Sequence, residues 1–288
     1  MNWILKADGM INLSKHFLFK GSNLNNRKIL LYFVLIIFLF TGFLWSGPIE
    51  KKIPILCYHR FGSVVNDSMT IKIRAFDEQL AWLKSNGYTV ISLDSAIKYL
   101  KGEFTSIPAK SVVITVDDGH KSVYYDMAPL VIKYRIPVTL FIYPSAISRA
   151  TYAMTWEQLR KLEATSFFRV ESHTYWHPNF KREKKKLSPD EYAKFVDKQL
   201  SGAKQILEEK MGHEIKYLAW AFGIYDNELE AKAIQSGYIA ALTIDRAHAS
   251  SSKKITSQPR YMVVSRHNMK AFEQMVSAEE AKEGKKGK

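Results

Sequence analysis

One cysteine, Cys57, stands in the 288 residues, so no intrachain disulfide forms and the thiol count leaves the redox compartment open. It lies in an apolar run, reads as a small core residue, and no lipobox precedes it. Acids are scarce: 28 Asp and Glu against 42 Lys and Arg give a net charge of +14. Such an excess suits an anionic partner such as nucleic acid, anionic lipid or an anionic polymer. No nucleic-acid motif accompanies it, and the bases are scattered apart from Lys181–Lys186, which reads as a solvated loop. A soluble basic surface, with no nucleic-acid partner, is the reading. Internal repeats are absent, which excludes a solenoid.

Charge is also missing from Ile29 to Trp45, a run of seventeen residues. A membrane span needs about 17–25 residues, and Ser46 to Ile49 extend the run. A cleaved signal peptide carries a shorter apolar stretch and an A-x-A-like site, which this segment lacks. Residues 29–48 therefore read as an uncleaved signal anchor, with a secreted form cut after a signal peptide as the alternative. Five Lys/Arg against one Asp in residues 1–28 place that segment in the cytoplasm and the rest outside it. The protein is expected in the cytoplasmic membrane as a single-pass chain, with residues 49–276 as one extracytoplasmic domain and 277–288 as a charged, flexible tail.

What is present from Ile53 onward is alternation. Strand patterns at Ile53–Tyr58, Tyr88–Ser92, Ser111–Asp117, Val138–Tyr143, Phe167–Ser172, Tyr217–Ala221, Tyr238–Ile244 and Tyr261–Val264 are separated by amphipathic helices. Thr155-x-x-Gln158 reads as a capping box, and Ser188-Pro189 as the cap and first residue of a long helix to Met211. Repeated βα units with short links imply a parallel sheet. The expected fold is α/β, a distorted (β/α) barrel of seven to eight parallel strands preceded by one N-terminal transmembrane helix.

The stretch S-V-V-I-T-V-D-D-G, 111–119, carries the chemistry. Five of its first six residues are β-branched, the mark of a buried strand, and it ends on Asp117, Asp118 and Gly119. An Asp-Asp-Gly triplet is by itself a common turn. Two adjacent carboxylates at a strand mouth nevertheless repel, and a cation relieves them. His173 and His177 follow another strand at a spacing that a turn brings to one metal. Together they make an Asp/His/His set with open positions for water, suited to Zn²⁺, and leave one carboxylate for proton transfer.

V-I-T-V-D-D-G and S-H-T-Y-W-H-P resemble the T-F-D-D-G and H-S/T-x-x-H-P motifs of the polysaccharide deacetylases, the NodB-homology or carbohydrate esterase 4 family. L-A-W-A-F-G at 218–223 is similar to the F-A-Y-P-Y-G segment of the branch acting on poly-N-acetylglucosamine, and L-C-Y-H-R-F, G-Y-T-V-I-S-L-D and T-W-E-Q-L fit that branch. The resemblance spans Pro54 to Asp245. It implies Asp117 as general base, Asp118, His173 and His177 as metal ligands, and the backbone N–H of Phe222 as an oxyanion donor. The implied activity is metal-dependent removal of N-acetyl groups from an N-acetylhexosamine polysaccharide. Alternatives are peptidoglycan, chitin-like oligomers or O-acetyl esters as substrate, or a carbohydrate-binding pseudoenzyme. The pattern is broken in four places. Ala221 replaces a proline, Phe222 stands where tyrosine is common, Ala219 stands, as in the poly-N-acetylglucosamine branch, where many relatives carry an arginine that orients the base, and His248 and His267, the late candidates for a general acid, lack its context and read as surface residues. Asp245 reads as a cap or as a support for the site. Tyr143, Tyr175, Trp176, Trp220 and Tyr225 are candidates to stack on sugar, Trp176 first among them.

Overall fold

The computed structural model describes residues 50–65 and 67–277. The signal anchor at 29–48, the basic segment before it and the tail from 278 lie outside the described residues. Among those described, no helix is long and apolar enough to cross a membrane.

Eight strands form the main sheet: β1 (Ile55–Tyr58), β2 (Thr89–Val90), β3 (Ser111–Asp117), β4 (Val138–Ile142), β5 (Phe168–Ser172), β6 (Tyr217–Ala219), β7 (Ala240–Leu242) and β8 (Tyr261–Met262). All pairings in it are parallel, in the order β7-β6-β5-β4-β3-β1-β8, with β2 paired to the start of β3. Every expected strand is present, several shorter than the sequence pattern. The two ends of the sheet approach each other through a parallel bridge between Leu242 and Gln258, just ahead of β8. Gln258 N–H donates to Ala241 O and Thr243 N–H to Gln258 O, each at 2.8–2.9 Å. The sheet is therefore strongly curved, as a (β/α) barrel requires.

β3 is buried along its whole length, which is why its sequence is so apolar. Helices α1 (Ile73–Ser85), α2 (Leu93–Lys101), α3 (Ala128–Tyr134) and α4 (Trp156–Ala164) connect the first strands. The Thr155–Gln158 capping box that opens α4 is formed in full. After β5 come α5 (Phe180–Lys184), α6 (Pro189–Asp197), α7 (Ala203–Met211) and α8 (Asn227–Gln235), and α9 (Met269–Ser277) follows β8. The basic run 181–186, expected as a loop, lies largely in α5, because Asn179 caps it and Phe180 drops into the core. The expected helix 189–211 is interrupted between α6 and α7 by a π turn over Lys198–Gly202, and a second π turn, Val123–Met127, precedes α3. Such turns recur at functional sites because each displaces side chains from the regular helical register. The turn at Lys198–Gly202 bears on the site below through Gln199.

Glu171, inside β5, is almost fully buried and accepts the N–H groups of Lys216 and Tyr217 at 2.7 and 2.8 Å, fixing the start of β6. Burial pushes its carboxyl up to about 7 although those N–H groups favour the charged form. The folded value lies above the ordinary 4.5, so the folded chain holds this proton more tightly than the unfolded chain does. The stability contributed is fully present below about pH 4.5 and is lost as pH rises through about 7. Glu171→Gln, which keeps an oxygen for both donors, is expected to match the parent near pH 4.5 and exceed it at about pH 8. Denaturant midpoints across that window check this; a constant difference between the two proteins would contradict it.

Candidate active site

Strands β3 and β5 deliver the predicted residues to one rim of the sheet. Asp117 ends β3, and Asp118 follows with φ 76°. His173 follows β5 directly, its N–H donating to Ile142 O at 2.9 Å. His177 lies four residues on, with φ 65°. Seven non-glycine residues have positive φ among those described, and four of them, Asp118, Thr174, His177 and Phe222, surround this rim. Backbone held in that region costs on the order of 1–3 kcal/mol per residue and persists where the surroundings enforce it.

The surroundings are visible. Thr174 Oγ1 accepts the His177 N–H at 3.2 Å, and Ser145 N–H donates to Tyr175 O at 3.1 Å. Gln199, carried on the π turn between α6 and α7, accepts the Trp176 N–H at 3.2 Å. His173 Nδ1 faces Ala219 O at 2.8 Å and donates to it, which leaves Nε2 as the lone-pair nitrogen.

Asp118 Oδ1 stands 3.6 Å from His173 Nε2 and 3.8 Å from His177 Nε2. Ligand atoms about 2.0–2.2 Å from one tetrahedral ion are ~3.3–3.6 Å apart, so the three converge on a space of that size. Asp118 Oδ1 is buried and has no hydrogen-bond partner. An orphaned carboxylate oxygen facing two imidazole nitrogens is the signature of a cation site, and burial without one pushes the Asp118 carboxyl up, with Asp117 beside it adding to the rise. Burial also lowers both histidines, His173 to about 3, so both rings are neutral and able to ligate at neutral pH. The donor set fits a divalent ion such as Zn²⁺.

Asp117 is held differently. Arg260, from the residues leading into β8 and fully buried, donates Nη1–H to Oδ1 at 2.8 Å and Nη2–H to Oδ2 at 2.7 Å. Arg260 also donates to Thr115 Oγ1 and Thr243 O, each at 3.0 Å. Burial opposes ionisation of Asp117, but the guanidinium outweighs it and holds the carboxyl well below the usual carboxylate range. One carboxylate thus faces the imidazoles while its neighbour is clamped, ionised, beside them; Asp117 Oδ2 is 3.7 Å from His173 Nε2.

Residues 105–241 match the family model of polysaccharide deacetylases, and this span carries both carboxylates and both histidines in the geometry just described. Those residues form a polysaccharide deacetylase domain. It is 26% identical over 204 residues to the poly-beta-1,6-N-acetyl-D-glucosamine N-deacetylase of Staphylococcus epidermidis, covering 66% of this chain and 68% of that one. Among solved structures, IcaB from Ammonifex degensii superposes with a TM-score of 0.65 at 25% identity over 78% of this chain and 95% of its own. The Streptococcus pyogenes deacetylase PplD, in complex with acetate, gives 0.71 at 22% identity over 80% and 100%, a likeness of fold.

Three features of this deacetylase-family site escaped sequence reasoning. The arginine missing at Ala219 is supplied by Arg260, outside the matched span. Cys57 is buried as expected, yet it is no mere filler: its Sγ lies 3.4 Å from Asp117 Oδ2 and donates to it. His59, directly after β1, presents a ring nitrogen in the same group of atoms as Cys57 and Asp117, all within 4.8 Å, and its Nδ1 is buried without a hydrogen-bond partner. Of the late histidines, His248 meets Met275 O at 3.2 Å and lies edge-on to Tyr261, while His267 Nδ1 accepts the Val264 N–H at 3.2 Å. The histidine beside the base comes from the first strand, not the last.

Phe222 has φ 56° and stands in a tight turn closed by Gly223 N–H to Trp220 O and Ile224 N–H to Ala221 O, so its own N–H is spent on neither bond. The residue is 55% exposed, and its ring lies 4.3 Å, centroid to centroid, from the His177 ring. With Ala221 in place of the proline, these two backbone bonds close the turn. Gly223 follows at φ 65°, where a Cβ would meet Ile244 Cγ1 at 2.6 Å, so this position admits glycine alone. Asp245 accepts the Thr243 hydroxyl at 2.8 Å and the Tyr225 hydroxyl at 3.4 Å and caps no helix among the described residues. Of the expected sugar-stacking aromatics, Trp220 is fully buried with its indole N–H on Thr256 O. Trp176 is 52% exposed beside Phe195.

Proposed function

We propose that the chain is a divalent-metal-dependent hydrolase that removes N-acetyl groups from a poly-N-acetylglucosamine-like polysaccharide outside the cytoplasm. The observation that carries it is the pair of differently held carboxylates: Asp118 Oδ1 orphaned against two neutral imidazoles, and Asp117 clamped by Arg260 next to them.

Asp118, His173 and His177 would hold the cation, and two imidazoles with one carboxylate suit Zn²⁺. When bound, it supplies Lewis acidity toward the acetyl carbonyl and the attacking water. Asp117, kept ionised by Arg260, takes the proton of that water as its oxygen adds to the acetyl carbon. The Phe222 N–H, beside His177, donates to the oxygen that becomes negative; a donor of this kind is worth about 3–4 kcal/mol. His59, whose Nδ1 has no protein partner, gives a proton to the leaving nitrogen as the C–N bond breaks, so acetate and a glycan amine result. The substrate class rests on the named activity of the Staphylococcus relative, and the extracytoplasmic location on the uncharged run 29–45 behind a basic segment.

The test is acetate release from poly-N-acetylglucosamine oligomers by the purified full chain, with chelator and after Zn²⁺ is restored. Release that stops with chelator and returns with metal is expected. Release that persists after elemental analysis finds no metal would overturn the metal assignment, and absence of release at one bound ion per chain would move the substrate to another acetylated glycan.

A further inference from the structure

We infer that the exposed ring of Tyr152 is the platform for the sugar next to the one being deacetylated, so the site is built for residues within a polymer. This rests on the deacetylase reading above and adds where the chain of sugars runs.

The argument starts from how Tyr152 is held. It lies in the loop between β4 and α4, which is stitched to the residues just past Asp118. Tyr152 O accepts the Lys121 N–H at 2.8 Å, Met154 N–H donates to Gly119 O at 2.9 Å, and His120 and Ala153 form an antiparallel bridge. Lys121 Nζ adds a bond to Thr151 O at 3.0 Å. The side chain is fixed as well. Its ring runs parallel to His120, 10° apart at 6.3 Å, and its hydroxyl meets that of Tyr143 at 2.7 Å.

Tyr143 in turn lies against the ligands, its ring centroid 5.7 Å from His177 and 6.4 Å from His173. Rings therefore follow one another from His177 through Tyr143 to Tyr152 and His120. Phe222 stands against the same His177 and is already spoken for by the reacting group. A sugar whose acetyl group reaches the ligands has Tyr143 at its flank, and its neighbour in the polymer falls on Tyr152. The residue is 43% exposed although its loop is tied by these bonds and its hydroxyl is satisfied. A fixed, half-open ring offers the apolar C–H face of a pyranose a surface that needs no reordering on binding.

The experiment compares parent, Tyr152→Ala and Tyr152→Phe, all Zn²⁺-loaded full chain, on β-1,6-linked N-acetylglucosamine dimer to hexamer. For the parent, kcat/KM is expected to rise with length. In Tyr152→Ala this rise is expected to shrink about 5–10-fold through KM, with kcat within about twofold, because the ring binds and does no chemistry. Tyr152→Phe, which loses the bond to Tyr143 but keeps the ring, should retain the length dependence. Equal length dependence in Tyr152→Ala and parent overturns the inference, as does a Tyr152→Phe variant that fails like Tyr152→Ala. If the parent releases no acetate from these oligomers, the poly-N-acetylglucosamine reading fails by itself, and calorimetric titration with the tetramer still decides: equal affinity in parent and Tyr152→Ala, or none in the parent, overturns the platform.

Discussion

Asp117→Asn is expected to keep one bound divalent ion per chain, to lose about 10²–10⁴-fold in kcat, and to fall in stability by about 3–5 kcal/mol. The first loss follows from removing the group that takes the proton. The second follows from Arg260, which is fully buried and makes both of its short ionic hydrogen bonds to this one carboxylate. An amide in place of the carboxylate leaves a buried guanidinium without a counter-charge. Arg260→Lys separates the two effects: a lysine keeps the charge but cannot make the two parallel bonds that fix the carboxylate plane. It should remain folded, bind metal as the parent does, and lose kcat with little change in KM, since Arg260 points at Asp117 and not at substrate. Denaturant midpoints, elemental analysis and steady-state kinetics on the same preparations check this. An Asp117→Asn protein with parental turnover would remove Asp117 as the base; parental kcat in Arg260→Lys would remove the clamp from the catalytic account.

His173→Ala is expected to abolish stoichiometric metal. In the proposed site the ring would supply one of three ligands, and its Nδ1 donates to Ala219 O, so its loss would remove a ligand and loosen the rim at once. Ligand-linked stabilisation gives a readout besides turnover. Zn²⁺ at 100 times its dissociation constant should add about 2.7 kcal/mol to the stability of the parent, and the variant should show no such rise. A thermal shift with zinc equal in both proteins would refute the ligand assignment.

What was legible in the chain and what was not divides along physical lines. Strand β3 announces itself because a strand covered on both faces is rich in β-branched residues, and the carboxylates stand out because nothing else in that run is charged. The histidines are legible because metal chemistry restricts both residue type and spacing. Thr155 and Ser188 cap their helices as read, since a capping box is a local contract between neighbours. Arg260 carries no such local sign. It follows a proline in an unremarkable stretch, and its meaning depends on a partner far away in the chain. His59 directly follows the first strand and carries no local sign either; the parallel pairing of β1 with β3 makes it a neighbour of Asp117. Cys57 faces the same carboxylate for the same reason. The π turn bearing Gln199 interrupts a stretch whose apolar spacing reads as one unbroken helix, and the interruption is a matter of one displaced turn that composition does not register.

The clamp on Asp117 spans 143 residues, from the third strand of the sheet to the last. Contacts of such range form late, because the loop between them must be closed before they return any energy. A chain emerging from synthesis, or refolding from denaturant, can complete β3, β4 and β5 and assemble the metal ligands while Asp117 still lacks its counter-charge. Zinc binding and catalytic competence should then appear at different times in a refolding experiment, the second coinciding with the docking of β8 against β1. In this molecule turnover is a report that the final strand has arrived.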